Sequence, residues 1–396
     1  MMGEWKEYKL GEIAKIKGGK RLPKGSTLIK TKMQHPYIRV RDMGDRFIPT
    51  SDLEYVPNDV FPLIKNYTVN KNDVILSIVG SVGLVSIVNE ELHHASLTEN
   101  CVKIIPVTNL LNYNFLFYYL TSSIGQDEIH RRIVGAVQPK LPIYNINAIS
   151  IKLPDLPTQT AIAEILSSLD DKIELNNNIN KELEKLAQTL FKQWFIDFEF
   201  PNENGEPYRS SGGEMVESEL GIIPKGWAVV KLSELLTVKY GKDHKHLLDG
   251  DVPLYGSGGI MRFVEKPLYS KDSILIPRKG TLSNLFYLSE PFWSVDTMFY
   301  TEIHNASFGK YLFFVIKSLN LAAMDVGSAV PSMTTKVLNG IKVLKPVDFV
   351  MLQFDEIASS IFEKMNHNTK ENQELSNLRD TLLPKLISGE LNVKDL

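Results

Sequence analysis

Between Thr158 and Phe198 the chain runs for some forty residues, TQTAIAEILSSLDDKIELNNNINKELEKLAQTLFKQWFIDF, without a glycine or proline. Its apolar positions Ile162, Ile165, Leu169, Ile179, Leu183, Leu186 and Leu190 fall on three- and four-residue steps, one seam of a helix with the charges on its other faces. At ~1.5 Å per residue such a helix is on the order of 60 Å long. Taken alone, the stripe predicts only a core or coiled-coil helix.

The stripe occurs twice. Displaced by 192 positions, Ile165, Lys172, Asn176, Asn180, Leu183, Leu186 and Leu190 coincide with Ile357, Lys364, Asn368, Asn372, Leu375, Leu378 and Leu382, and Ile361 continues the second seam. Both copies break the seam with Lys and Asn at matching places, the kind of polar insertion that sets register and partner. Each helix is therefore expected to pair with the other.

The segments before the two helices have a shorter rhythm. PYIRV at Pro36, DVILSIVG at Asp73, GLVSIV at Gly83 and NCVKIIPV at Asn100 are strand-like runs between turn residues, and NYNFLFYYL at Asn112 is an aromatic helix. After a connector rich in Pro, Gly, Ser and Asn, the pattern restarts. Trp227, Lys231, Leu232, Glu234, Gly241 and Lys242 repeat Trp5, Lys9, Leu10, Glu12, Gly19 and Lys20 at a shift of 222, and Val326 to Pro331 echo Val134 to Pro139 at 192. The difference puts 30 extra residues in the middle of the first domain. The predicted class is α+β: repeated α/β domains at 1–155 and 227–345, long helices at 156–200 and 346–396, and a connector at 201–226.

Charge changes the picture by segment. The net −3 of the chain is unremarkable, yet 1–155 holds 19 Lys and Arg against 15 Asp and Glu, and 226–345 holds 14 against 10. The helical segments are the reverse, 4 against 8 and 5 against 9. Basic domains suit phosphate and acidic helices suit protein partners. A single cysteine, Cys101, precludes an internal disulfide and predicts a reducing, cytoplasmic setting. The charged N-terminus and the lack of an apolar run of ~18 residues predict a soluble chain without a membrane.

Catalytic constellations do not emerge. There is no GxxxxGK[ST] after a strand, and Tyr255-Gly256-Ser257-Gly258-Gly259 lacks the partners of a dinucleotide site and reads as a turn. His93-His94 and His244-Lys245-His246 have no ligand set at metal spacing, and Cys101 lies in an apolar run, so neither a catalytic nor a metal site is expected. What remains is reading: Lys and Arg hold phosphate, and polar side chains on Gly-flanked loops meet base edges. The candidates are Lys20, Arg21, Lys24, Arg39, Arg41 and Lys140 in the first domain. In the second they are Lys242, Tyr255, Ser257, Arg278, Lys279, Thr281 and Lys336.

Two α/β domains each followed by a long helix, with LSSLDDKIELNNNINKELEKLAQTLFKQWFIDF after the first and TLLPKLISGEL closing the second, resemble the specificity subunit of a type I restriction-modification enzyme over the whole chain. Leu156, Pro157, Gln159 and Ile162 resemble the family's Pro-Leu-x-x-Gln-x-x-Ile pattern, and the second copy departs from it with Met351 in place of the glutamine. The resemblance implies two target-recognition domains separated by antiparallel helices in a pseudo-twofold arrangement, each domain reading half of a bipartite, asymmetric site on double-stranded DNA. It implies helices that bind two modification subunits, which carry S-adenosylmethionine, and through them restriction subunits that use ATP and magnesium. The chain itself then carries no cofactor and no catalysis. Rival readings are a self-contained methyltransferase or nuclease, whose Asn/Asp-Pro-Pro-Tyr/Phe or Pro-Asp motifs are not found in usable context, and a coiled-coil scaffold without DNA contact.

Overall fold

The computed structural model describes residues 5–106, 109–279, 282–319, 321 and 333–395. Its longest elements are a central helix, Leu156–Phe195, and a distal helix, Asp348–Ser388. The central helix starts two residues before the predicted stretch because Pro157 fits the first helical turn, where its missing N–H has no acceptor to lose. The distal helix ends at Gly389, whose φ of 77° leaves room for the Trp5 ring where a Cβ would stand.

The chain divides into two compact units, 1–176 with 369–396, and 177–368. The division falls midway along both long helices, so each unit holds one globular domain and half of each helix.

In the first unit, β1 (Ala14–Gly18), β2 (Pro36–Ile38), β3 (Glu54–Tyr55), β4 (Val74–Ser77), β5 (Val85–Ile87), β6 (Ser96–Leu97) and β7 (Cys101–Pro106) form two sheets. One is a four-stranded antiparallel sheet in the order β1-β7-β4-β5. The other is β3-β2-β6, in which β2 and β6 run parallel. Helix α1 (Tyr113–Thr121) covers the first sheet, and the short apolar runs β4 and β5 are buried on both faces. The core continues into Ile162, Ala163 and Leu166 of the central helix and Leu386 and Ile387 of the distal one.

The second unit repeats this plan with β8 (Leu236–Tyr240), β9 (Val252–Gly256), β10 (Gly259–Val264), β11 (Ser273–Pro277), β12 (Phe286–Leu288), β13 (Trp293–Ser294) and β14 (Met298–Ile303). The four-stranded sheet is β8-β14-β11-β12 and the three-stranded one β10-β9-β13, with β9 and β13 parallel. Helix α2 (Gly309–Ser318) stands where α1 does. Strand for strand the orders are identical. The core here is aromatic: Phe195 lies 4.6 Å from Tyr311 and 4.8 Å from Phe354, ring to ring.

The repeated Trp-x-x-x-Lys-Leu-x-Glu motif mounts each domain. Lys6–Lys9 pairs antiparallel with Ser150–Leu153, and Ala228–Lys231 with Lys342–Lys345, so both ends of each domain meet at the foot of its helix. Beyond the ladder Glu12 accepts from the Lys9 N–H at 2.8 Å and Glu234 from that of Lys231 at 2.9 Å, while Leu10 and Leu232 are fully buried. Most of the extra residues of the first domain lie in its middle, between Tyr37 and Ser96, with a few on either side. Equivalent positions differ by 222 at Gly19 and Gly241, 217 at Tyr37 and Leu254, and 197 at Ser96 and Trp293.

Within each unit the helix halves run antiparallel. In the first, Asp170 accepts from the Tyr118 hydroxyl at 2.6 Å and from Arg379 at 2.7 Å, tying domain, central helix and distal helix through one carboxylate, and Lys172 meets Glu371 at 3.1 Å. In the second, the amide of Asn368 donates to Asn180 at 2.8 Å. Ile162 and Ile361 of the predicted seam are buried, and Ile165, Leu169, Ile179, Leu183, Leu190, Leu375 and Leu382 half-buried. Leu186, Ile357 and Leu378 are exposed, which corrects the seam. Ala187 and Ala358, one residue on from two of them, are buried instead, because each helix half packs against a globular domain as well as against the other helix.

Candidate nucleic-acid interface

The shared Gly-Lys pair defines an equivalent corner in each domain. A Cβ on Gly19 would stand 2.0 Å from the Thr98 carbonyl oxygen, and one on Gly241 2.0 Å from that of Val295. Only glycine lets the strand end lie against the neighbouring backbone. That approach is locked by Lys20 N–H donating to Leu97 at 2.8 Å and Lys242 N–H donating to Ser294 at 2.9 Å. Both lysine side chains are thereby delivered to the exposed end of the three-stranded sheet.

In the first domain Arg21 follows, exposed and bonded through Nε to Glu99 at 2.5 Å, and the Lys20 ammonium lies 5.6 Å from the Tyr67 ring. The Tyr37 hydroxyl donates to the Lys20 carbonyl, and burial pushes its pKa up, so it stays a neutral donor. Lys24 is exposed, and Lys140, also exposed, is bridged through its backbone to Val79. Arg39 and Arg41 are differently placed. Glu54 of β3 holds Arg39 at 2.5 Å and Arg41 at 3.1 Å, and Asp42 meets both guanidinium groups. The two arginines keep Glu54 ionised below the usual carboxylate range despite its desolvation. Their charge is already answered within the protein.

In the second domain three of the candidate residues converge on segment 294–297. Lys242 N–H bonds Ser294, Val295 N–H donates to the Tyr255 carbonyl at 3.0 Å, and Arg278 N–H donates to Thr297 at 2.9 Å while its Nη1 reaches Asp296 at 3.3 Å. Ser257 joins them on the β9–β10 turn, where its carbonyl accepts from Asn284 at 2.9 Å. The Tyr255 ring packs 5.5 Å from Phe286, and burial raises its pKa. Lys279 is exposed at the end of β11, and Lys336 is exposed on the short helix Thr335–Gly340. Thr281 and Val326 to Pro331 lie outside the described residues.

Tyr240 is a neighbour of this corner that the sequence reading does not single out. The Arg278 guanidinium lies 5.2 Å from the ring of Tyr240, one residue before the Gly-Lys pair, so the strand end itself was the available signal. Gln159 is fully buried, its amide donating to Leu110 at 2.7 Å and Pro154 at 3.0 Å and its oxygen accepting from Asn112 at 2.9 Å. Those bonds satisfy the loop that enters α1. Met351, its counterpart in the second helix, is fully buried in an apolar core.

The features set aside as chemistry have ordinary places. The 255–259 stretch is the hairpin turn between β9 and β10. His93 and His94 are exposed on a turn, and burial pushes the Cys101 thiol up to about 12, where it remains protonated. Among the described residues no three His, Cys, Asp or Glu side chains group to hold a metal ion, and no helix is long and apolar enough to cross a membrane.

Comparison with known proteins agrees with this geometry. The family model for the type I restriction modification DNA specificity domain matches residues 2–185 and 224–375, one match for each domain with its helix. The type I restriction enzyme MjaIX specificity subunit of Methanocaldococcus jannaschii is 26% identical over 99% of this chain and 95% of its own. The HindI specificity subunit of Haemophilus influenzae is 24% identical over 98% of this chain and 100% of its own. The crystal structure of the S subunit of a type I restriction-modification system from M. genitalium shares the fold, with a TM-score of 0.63 at 21% identity over 97% of this chain and 96% of that one. The chain belongs to the family of type I restriction-modification DNA specificity subunits, which supply DNA recognition to the enzyme and not its catalysis.

Proposed function

We propose that each globular domain reads one half of a bipartite, asymmetric site on double-stranded DNA, and that the long helices dock two modification subunits. The observation that carries the first part is the duplicated Gly-Lys corner. The same backbone locks present Lys20 and Arg21 in one domain, but Lys242, Tyr255 and Arg278 in the other. One scaffold bearing unlike side chains suits two unlike half-sites on one duplex. For the second part, the central helix carries an open apolar groove of about 350 Å³ within the second unit, lined by Ile179, Leu183 and Leu186 between Asn178 and Glu182. A solvent-facing apolar groove on an acidic helix suits a protein partner.

On this reading the modification subunits bring S-adenosylmethionine and methylate adenine, and restriction subunits bring ATP and magnesium. This chain contributes the address. The test is methylation mapping of a host carrying the chain with its modification subunit, which should return one motif made of two unlike halves around an unspecified gap. A contiguous motif, or methyl transfer by the purified chain alone, would overturn it.

A further inference from the structure

The same element differs in chemistry between the two domains. The edge strand of the three-stranded sheet is β3 in the first domain, where Glu54 neutralises Arg39 and Arg41, and β10 in the second, where its exposed side chains are apolar. Ile260, Met261 and Phe263 are 52%, 59% and 49% exposed. A regular strand would send neighbours to opposite faces. Here the β9–β10 register slips between Leu254 and Tyr255, so that Tyr255 faces Ile260, Leu254 faces Arg262, and Met261 is the extra, bulged residue. Gly256 makes room for it: a Cβ there would stand 2.6 Å from the Met261 sulfur.

The hairpin is held in place although its tip is apolar. Arg262 bonds Asp249 at 3.0 Å and the carbonyls of His244 at 2.7 Å and Leu247 at 3.1 Å, fastening β10 to the loop after the Gly-Lys corner. Arg262 also answers the Asp249 charge. An exposed apolar edge strand is an aggregation liability that a monomeric domain has reason to remove. This one is continuous with the Tyr255, Ser257, Lys242 and Arg278 corner, and that continuity identifies the occupant.

Resting on the proposed reading of DNA by this domain, we infer that Ile260, Met261 and Phe263 read thymine by its C5 methyl group in the major groove. That methyl is the apolar feature of the base edges, and it separates a T·A pair from every pair that shows only donors and acceptors. In the first domain the equivalent strand β3 instead carries Glu54, ion-paired to Arg39 and Arg41. The second half-site therefore contains at least one thymine contacted this way by β10.

The experiment uses the chain assembled with its modification subunits, and duplexes carrying the motif found by methylation mapping. Each thymine is replaced in turn by deoxyuridine, which removes the methyl and keeps the hydrogen-bond pattern. At one or more thymines of the second half-site binding should weaken about fourfold, the worth of one buried carbon. Met261→Ala or Phe263→Ala should abolish that difference while leaving deoxyuridine effects in the first half-site as they were. A second half-site without thymine, or thymines all indifferent to deoxyuridine, overturns the inference, and neither result depends on a variant folding. So does a deoxyuridine penalty that persists in both variants, or variants that lose the modification subunits while still discriminating bases, which would make β10 a protein-docking edge. A complex that binds no DNA sequence specifically would instead overturn the proposed function.

Discussion

Asn176 donates its side-chain amide to Asn372 at 2.9 Å, and the bond is reproduced with the partners exchanged when Asn368 donates to Asn180 at 2.8 Å. Asn176 and Asn368 are equivalent under the 192-residue repeat, as are Asn180 and Asn372. Each helix thus offers the other the same donor and acceptor, the signature of a self-complementary contact written into one chain. Asn176 and Asn368 are buried, and the Asn176 amide donates to Glu371 at 2.7 Å besides Asn372, so either pair left half-made takes a partner from a buried amide.

Replacing Asn372 by Ala should therefore cost about 1–3 kcal/mol, the desolvation penalty of a buried amide that loses a partner. Replacing Asn176 and Asn372 together by Leu should cost much less. Urea unfolding of the single and double variants measures the difference. Equal losses would show that the pair does not act as a pair.

The Gly-Lys corner predicts two separable effects. Gly241→Ala places a methyl where Val295 already stands, so the strand end must move and Lys242 with it; the second half-site should lose its preference while the first keeps its own. Lys242→Ala keeps the backbone and removes one phosphate contact, so affinity should fall for all sequences and the slope of log affinity against log salt should shrink by about one. Binding titrations from low to moderate salt distinguish the two, and an unchanged slope would remove Lys242 from the phosphate contacts.

Because Ala228 pairs with Lys345 and Lys231 with Lys342, the two ends of the second domain lie side by side, and exchanging 227–345 replaces a closed module. Such an exchange with another member of the family should change one half of the methylated motif and leave the other intact. Changes in both halves would show that the domains do not read independently.

The buried amide of Gln159 gives a stability prediction. Gln159→Leu preserves the size and leaves the Asn112 N–H and the carbonyls of Leu110 and Pro154 without it, so a loss of roughly 2–4 kcal/mol is expected, felt in the first unit. Met351→Leu, a swap of similar volume in the second unit, should cost under about 1.5 kcal/mol. Comparable losses would mean the glutamine is no more than a space-filler.

The long helices were legible because a 3.6-residue period over forty residues has no other use, and the repeat was legible because both copies keep the Gly-Lys corner and the Glu12 and Glu234 caps. Strand order was not, since β1 pairs with β7 and β3 with β2 through contacts that no local pattern announces. The pairing of Arg39 and Arg41 with Glu54 is not legible either, because the carboxylate comes from a strand more than a dozen residues away. The exposure of Met261 and Phe263 is hidden for the opposite reason. An apolar run reads as core, and only the bulge and the edge position turn it outward.

Residues 177–368 form one of the two compact units without a break in the chain, and this leads to the last prediction. Its ends are joined inside the unit: Asn368 bonds Asn180, and the Asn180 amide also donates to the Met365 carbonyl at 3.2 Å. Its core is its own, built on Phe191, Phe195, Trp227, Tyr311 and Phe354. A fragment of these residues should therefore fold as a monomer, since it falls within the size of an independent domain. In the other unit Asn176 touches Asn372, so a short flexible linker from Asn176 to Thr369 should close the chain once 177–368 is removed, and loop closure over a few residues costs little. Each product keeps one recognition corner and two helix halves. Each should bind DNA weakly and prefer one half of the motif, because on the proposed reading the intact chain links two modest contacts. Circular dichroism melting and sedimentation test the folding, and competition with duplexes mutated in either half tests the preference. A fragment that is unfolded, or that folds only as a dimer, would show that the helix halves depend on the whole length of the long helices and not on the unit that holds them.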